Sequence, residues 1–378
     1  MTTTKTTTPT LQELILTRRI LVCCGAGGVG KTTAATALAL AAARRGRKVL
    51  ALTIDPSKRL AETLGVERNL KTPVSMPEDR LVQAGIGPPG GLETWMLDPS
   101  LIAERVVKRF AKTPERAEQL MKNRIYQELN RMVAGMQEYT AMEALHSFIQ
   151  QGRYDLIILD TPPSRNALDF LDGPRRLQRF FDGRIFQLFT PSESVGFIRR
   201  AAAELVGKAM SGVFGEDNYR ELQEFFDVFS DLFALLTHNA GDMRGLLSDP
   251  KQVGFLLVTS TTPESIADAM FFQEKTREME LPFRGFLLNR SQALQAGRAM
   301  PEDDLLTDAG DEVQRSALEK FGRLARLEQA AMQRDQALLA DLDVRCGEGA
   351  KAVALPLLPG GASTLPQLLM ISDTLMAS

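Results

Sequence analysis

Eight consecutive residues, Gly25-Ala26-Gly27-Gly28-Val29-Gly30-Lys31-Thr32, fit the pattern GxxxxGK[ST]. The chemistry such a stretch can carry is phosphate binding. Glycines let the main chain curl around an anion with its N–H groups turned inward, and a helix that follows presents its positive end to the same anion. Lys31 would set an ammonium against the β- and γ-phosphates, and the Thr32 hydroxyl would ligate Mg²⁺. The alternative is a glycine-rich strand-to-helix turn with no ligand. A second candidate is Asp160, which ends the apolar run Leu156-Ile157-Ile158-Leu159 and so stands at a strand end, beside the Mg²⁺ shell. The stiff turn Asp160-Thr161-Pro162-Pro163-Ser164 could sense a γ-phosphate and pass the change onward. Asp55-Pro56-Ser57 closes the run Val49–Ile54 in the same way, and Glu62 lies seven residues after Asp55. Glu62 has two readings: a carboxylate that orients or deprotonates an attacking water, or a solvated helix residue.

These groups need elements to hold them. RILVCC (19–24) has the length and bounds of a buried parallel strand. KTTAATALALAAARR (31–45), stopped at Gly46, has helix composition. With Val49–Ile54 they make a βαβ unit, and Leu156–Leu159, Val253–Thr259, Phe286–Leu288 and Ala352–Leu355 are further buried-strand candidates. The expected fold is α/β: a P-loop NTPase core with a mostly parallel, doubly wound sheet and an inserted helical subdomain. The expected organisation is a flexible tail over 1–17 and a single domain over 18–378. Helical insertions are expected at about 99–150 and 174–250, with a further helical stretch at 305–342. Residues 216–238 carry an aromatic face at helical spacing, and 11 of the 19 phenylalanines fall within 170–233. That bias fits either a Phe-packed subdomain or an apolar groove for a client helix.

Composition narrows the function classes. Over 378 residues, 44% are hydrophobic and 24% charged, which excludes a disordered, collagenous or coiled-coil chain. A net charge of −2 supplies no global field for nucleic acid, so none is expected as a partner. Three cysteines (Cys23, Cys24, Cys346) and two histidines leave no disulfide framework and no four-cysteine zinc site. No run approaches the roughly 18 apolar residues of a membrane span, and no targeting segment is visible, so a cytoplasmic protein is expected.

The segments GAGGVGKTT (25–33), TIDPSKRLAETLG (53–65), LDTPPSRNALDFLDGP (159–174), TSTTPESI (259–266), FLLNR (286–290) and ALPLLPG (354–360) together resemble the arsenite-pump ATPase family. That family includes the guided-entry ATPase that carries tail-anchored membrane proteins. The likeness is greatest to bacterial, actinobacterial-type members called anion-transporting ATPases. The resemblance implies Mg-dependent ATP hydrolysis in a dimer, of identical chains or with a paralogue, that binds and releases an unknown protein client, such as an apolar helix. It implies that Gly25, Gly27, Gly28, Val29, Gly30, Lys31, Thr32 and Thr33 hold the phosphates of ATP or ADP. Asp55 begins the first switch, Glu62 stands at the water-activating position, and Asp160 begins the second switch and faces Mg²⁺ through water. Asn289 matches the adenine-reading residue, and Pro356 to Pro359 the loop over the base.

Three departures stand out. Ala26 replaces a loop lysine that in the family reaches the partner's phosphates. No CxxC pair is present for zinc at a dimer interface, and no zinc is expected. The cysteines do not lie where the family's arsenite-binding members place theirs. The missing lysine keeps open a nucleotide-gated binding protein with negligible turnover. A GTP-driven, metallochaperone-like switch is a further alternative, although Asn289-Arg290-Ser291-Gln292 lacks the Lys and Asp of a guanine-reading NKxD. A small-molecule kinase would need a polar acceptor pocket, and the helical region is aromatic instead.

Overall fold

The computed structural model describes residues 9–53, 72–97, 113–123, 144–161, 241–295 and 312–378, with isolated positions at 64, 66, 104, 107, 108, 111, 127 and 225. Eight strands form one sheet: β1 (Ile20–Cys24), β2 (Lys48–Thr53), β3 (Val74–Ser75), β4 (Gly91–Met96), β5 (Leu156–Asp160), β6 (Val253–Ser260), β7 (Phe283–Ser291) and β8 (Lys351–Pro356). Their order across the sheet is β3-β4-β2-β5-β1-β6-β7-β8. Every described pairing is parallel except β3 with β4. The mostly parallel α/β core expected from the sequence is therefore the observed one.

The central strands read as unbroken apolar runs because both faces of the sheet are covered. Alternate residues of β1 enter different cores. Ile20, Val22 and Cys24 join Trp95, Phe255, Phe272, Phe286 and Leu342 on one face. Leu21 and Cys23 join the opposite face, beneath α1 (Leu11–Thr17), α2 (Lys31–Ala43) and α7 (Leu365–Ala377). The first face is packed by α5 (Pro263–Glu278) and the C-terminal part of α6 (Glu312–Cys346). Shorter helices are α3 (Glu78–Gln83) and α4 (Pro114–Lys122), and residues 144–151 and 241–247 are also helical.

Helix α2 buries 11 of its 13 residues, almost all alanine and leucine, so it is apolar all round rather than amphipathic. That is the composition of a helix enclosed between a sheet and a second helical layer, here α1 and α7. Residues 11–17, which the sequence reading placed in a tail, form α1 instead. Thr10 and Glu13 make a reciprocal capping box, and Leu11, Leu14 and Ile15 are buried. The strands β3 and β4 and the helices α5 and α7 add to the elements legible beforehand. The long charged helix expected at 305–342 is described from Glu312 and continues to Cys346; residues 305–311 lie outside the described residues. Most of the expected insertions at 99–150 and 174–250, including the Phe-rich stretch, lies outside the described residues. No helix among the described residues is long and apolar enough to cross a membrane.

Candidate functional site at the carboxyl ends of the strands

The chain leaves β1 at Cys24 and enters α2 at Lys31, so residues 25–30 form the loop between them. Gly30 is the residue at the helix entry, with φ of 95°, a left-handed value that favours glycine. Space imposes the same choice, since a Cβ there would lie 2.0 Å from Nδ2 of Asn289. No side chain caps the α2 N-terminus, which leaves its first N–H groups directed to the loop. Val29 is buried at 2% exposure and anchors the loop in the core, whereas Gly27 and Gly28 are exposed. The loop is thus held by its buried residues Gly25 and Val29 and open at its crest.

Lys31 is 95% enclosed, and its Nζ donates to the carbonyl of Ala26 across the loop at 2.7 Å. The ammonium is held at the centre of the curl. Beside it, the Thr32 hydroxyl donates to Oδ2 of Asp160 at 2.6 Å, and the Thr53 hydroxyl reaches the same oxygen at 3.0 Å. Register explains this convergence: Asp160 is level with Cys23 on β1 and with Thr53 on β2. Three neighbouring strands therefore end at one height, and the buried carboxylate of Asp160, 2% exposed, sits between them. Ligands in open α/β sheets bind beyond this end, where the strand order reverses. Thr161 then ties the exit of β5 to β1, its N–H and hydroxyl both donating to the Cys23 carbonyl, at 3.2 and 2.9 Å.

Asn289, at the end of β7, is also brought to the loop. It is buried, and its Nδ2 donates to the carbonyl of Val29 at 2.8 Å. Pro356 ends β8, and the next residue, Leu357, donates its N–H to the Ser291 carbonyl at 3.0 Å. Gly25 to Thr33, Asp160, Asn289 and Pro356 thus all stand at the carboxyl edge of one sheet. Asp55, Glu62 and the turn 162–164 lie outside the described residues. Thr53 was missed in the sequence. Its one signal there is its position, a hydroxyl residue near the end of an apolar run and two before Asp55.

The donor set suits a hard cation. Thr32 Oγ1 and Asp160 Oδ2 are oxygens in direct contact next to an anion-directed loop, the ligand chemistry Mg²⁺ takes when phosphate supplies the rest. The cysteines have a different character. Cys23 and Cys24 lie behind the loop on opposite faces of β1, one in each core. Burial, and then the Asp160 charge, push the Cys23 thiol well up, and burial pushes Cys24 up to about 12. Cys346, on α6, is raised to about 11, again chiefly by burial. All three are protonated at neutral pH, and they do not converge on a point. Among the described residues no group of three or more His, Cys, Asp or Glu is arranged to hold a metal.

Several known proteins are similar to this chain. The chain is 23% identical over 274 residues to the ATPase GET3B of Arabidopsis thaliana, covering 70% of this chain and 62% of that protein. It is 22% identical over 240 residues to a putative arsenical pump-driving ATPase 1 of Aquifex aeolicus, covering 62% of this chain and 56% of the relative. A second Aquifex protein, putative arsenical pump-driving ATPase 2, is 23% identical over 276 residues, 68% of this chain and 85% of its own length. The chain thus spans little more than half the length of the first two. A family model described as anion-transporting ATPase matches residues 18–290, from two residues before β1 through the loop, Asp160 and Asn289. Because that match covers well over half of the chain, and includes the glycine loop and the strand-end carboxylate, the chain belongs to the anion-transporting ATPase family.

Proposed function

We propose that this protein hydrolyses ATP with Mg²⁺ and uses the cycle as a conformational switch, in a dimer, to bind and release a protein client. The observation that carries the reading is the convergence of Lys31, Thr32 and Asp160 under an open glycine loop. The N–H groups of the loop and of the α2 entry hold the phosphates. Lys31 exchanges the Ala26 carbonyl for the β- and γ-phosphate oxygens, a neutral hydrogen bond for a charge-assisted one. Thr32 and Asp160 would hold Mg²⁺, which when bound supplies positive charge to the phosphate oxygens. Thr53 keeps the Asp160 carboxylate in its orientation. Glu62 orients the attacking water.

Thr161 fixes where the second switch starts. Both its N–H and its hydroxyl are tied to β1, so the start of the switch is anchored to the sheet, and the sequence runs on from it into residues 162–168. These lead directly, through Asp169 to Arg176, toward the Phe-rich stretch that we assign to the client. An apolar helix is the client class that such a surface fits. Arsenite as cargo is disfavoured by protonated, divided cysteines, whatever the names of the Aquifex relatives say of those proteins. Ala26 brings no cation to a partner's phosphates, so turnover by the isolated protein is expected to be slow and to rise with client. We place this activity in the cytoplasm.

The experiment is phosphate release from ATP and Mg²⁺ by the purified protein, alongside Lys31→Ala and Asp160→Asn. Each substitution should lower the rate by at least about a hundredfold, the range in which charge-stabilising groups act. Equal rates in all three proteins would sink the assignment. Glu62→Gln, incubated with ATP, should retain the client for identification by mass. Preference for GTP in a competition titration would favour the guanine-dependent alternative.

A further inference from the structure

Strand β7 carries one residue more than its neighbour at the nucleotide end. Leu288 pairs with Ala354 and Ser291 with Pro356, so three steps along β7 match two along β8. The extra residue falls at Asn289-Arg290, and Arg290 adopts φ of 57°, a left-handed value that an arginine holds only when its surroundings impose it. The bulge brings Asn289 to the Val29 carbonyl. Directly after it the chain is secured by a single carboxylate. Asp335 Oδ2 accepts from the Gln292 N–H at 2.8 Å and from the Ser291 hydroxyl at 3.4 Å, while the same hydroxyl accepts from the Ala293 N–H at 3.1 Å. Asp335 is 1% exposed on α6, a helix that buries only two other residues, and Arg334 neutralises its other oxygen at 3.0 Å. Because the Ser291 carbonyl accepts from Leu357, the exits of both β7 and β8 are fixed relative to Asp335.

We propose that Asp335 is a positioning residue for nucleotide binding, acting through Asn289. It holds the β7 bulge closed, which keeps the Asn289 amide under the phosphate loop and the β8 exit at its distance from it. A buried charge is costly, and here the Gln292 N–H, the Ser291 hydroxyl and Arg334 offset that cost; an asparagine would keep one acceptor oxygen and lose the charge. Asp335 lies beyond the residues matched by the family model, and its role rests on the nucleotide reading of the loop.

The test is a double-mutant cycle on binding of a fluorescent ADP with Mg²⁺, using Asp335→Asn, Asn289→Ala and the pair. Asp335→Asn should weaken binding about tenfold, and the pair should bind no more weakly than Asn289→Ala alone. Ser291→Ala, a milder change, should weaken binding about threefold and be equally non-additive, which covers failure of Asp335→Asn to fold. Effects that add, or an Asp335→Asn protein that binds as tightly as wild type, would overturn the inference while leaving the proposed function standing. Absence of binding by the wild-type protein would overturn both.

Discussion

At the entry to α2 a single hydrogen atom separates a working loop from a blocked one. Gly30 combines a left-handed φ with a Cβ position 2.0 Å from Asn289 Nδ2, whereas Gly28, also left-handed at 77°, has nothing within 4 Å of that position. Gly30→Ala should therefore cost both backbone strain and displacement of a buried amide, about 2–4 kcal/mol together. Gly28→Ala should cost about 1 kcal/mol, from the backbone alone. Urea unfolding of the two nucleotide-free variants compares them, and equal losses would contradict the geometry. Thr53 offers a second contrast. Thr53→Val keeps the shape and removes one hydrogen bond to the Asp160 carboxylate, worth about 1.5–3 kcal/mol. The expected result is a tenfold or greater rise in the Mg²⁺ concentration needed for half-maximal hydrolysis, with nucleotide affinity in excess Mg²⁺ little changed.

At the scale of elements, what matters is which helix covers which. The outer face of α2 is roofed by α1 and α7, with Leu14, Leu368, Ile371 and Leu375 all within one core. Leu368→Ala should lower stability by about 2–5 kcal/mol, because the close-packed alanine and leucine side chains of α2 cannot collapse into the vacated space. Chemical denaturation measures it, and a loss under 1 kcal/mol would mean that the roof is loosely packed. The elements also show what a sequence can disclose. The glycine loop between β1 and α2 and the place of Asp160 at its strand end were legible because each is marked by its immediate neighbours: a buried strand before, a helix or a turn after. β4 was not. Gly91-Leu92-Glu93-Thr94-Trp95-Met96 follows a Gly/Pro-rich turn, and its Glu93 looks like a loop residue until Tyr154 and Arg153 are seen to pair with it. The capping box of α1, Thr10 to Glu13, stood in the sequence, but seven residues after a Thr-rich lead gave too little periodicity to outweigh it. Thr53 and Asp335 acquire their roles from partners 107 and 43 residues away, and nothing local distinguishes them. Asp335 in particular reads as one more charge on a solvated helix.

The molecule as a whole is a two-sided core, and its ionisable interior makes stability depend on pH. Burial raises all three thiols from an ordinary value of 9.0, Cys24 to about 12 and Cys346 to about 11. Above pH 9 the unfolded chain sheds these protons and the folded one retains them, so the unfolded state gains. Below pH 9 both states hold them and the contribution is flat. Stability should fall between pH 9 and 12, by about 1.4 kcal/mol per buried thiol at pH 10. Urea unfolding at pH 7 and pH 10 reads the total. In Cys24→Ala the difference between the two should shrink by about one thiol's share, and an unchanged difference would refute the account.

The roof over α2 has a consequence for how the protein is made. The helix carrying Lys31 and Thr32 emerges from the ribosome early, yet Leu365–Ala377, which seals its outer face, is translated far downstream. Throughout that interval a nascent chain would expose a stripe of alanine and leucine beside an incomplete sheet, a surface that chaperones recognise. Competence to grip a nucleotide should therefore arrive late in synthesis, when the closing helix docks, and ribosome-stalled chains that stop short of Leu365 should fail to bind one.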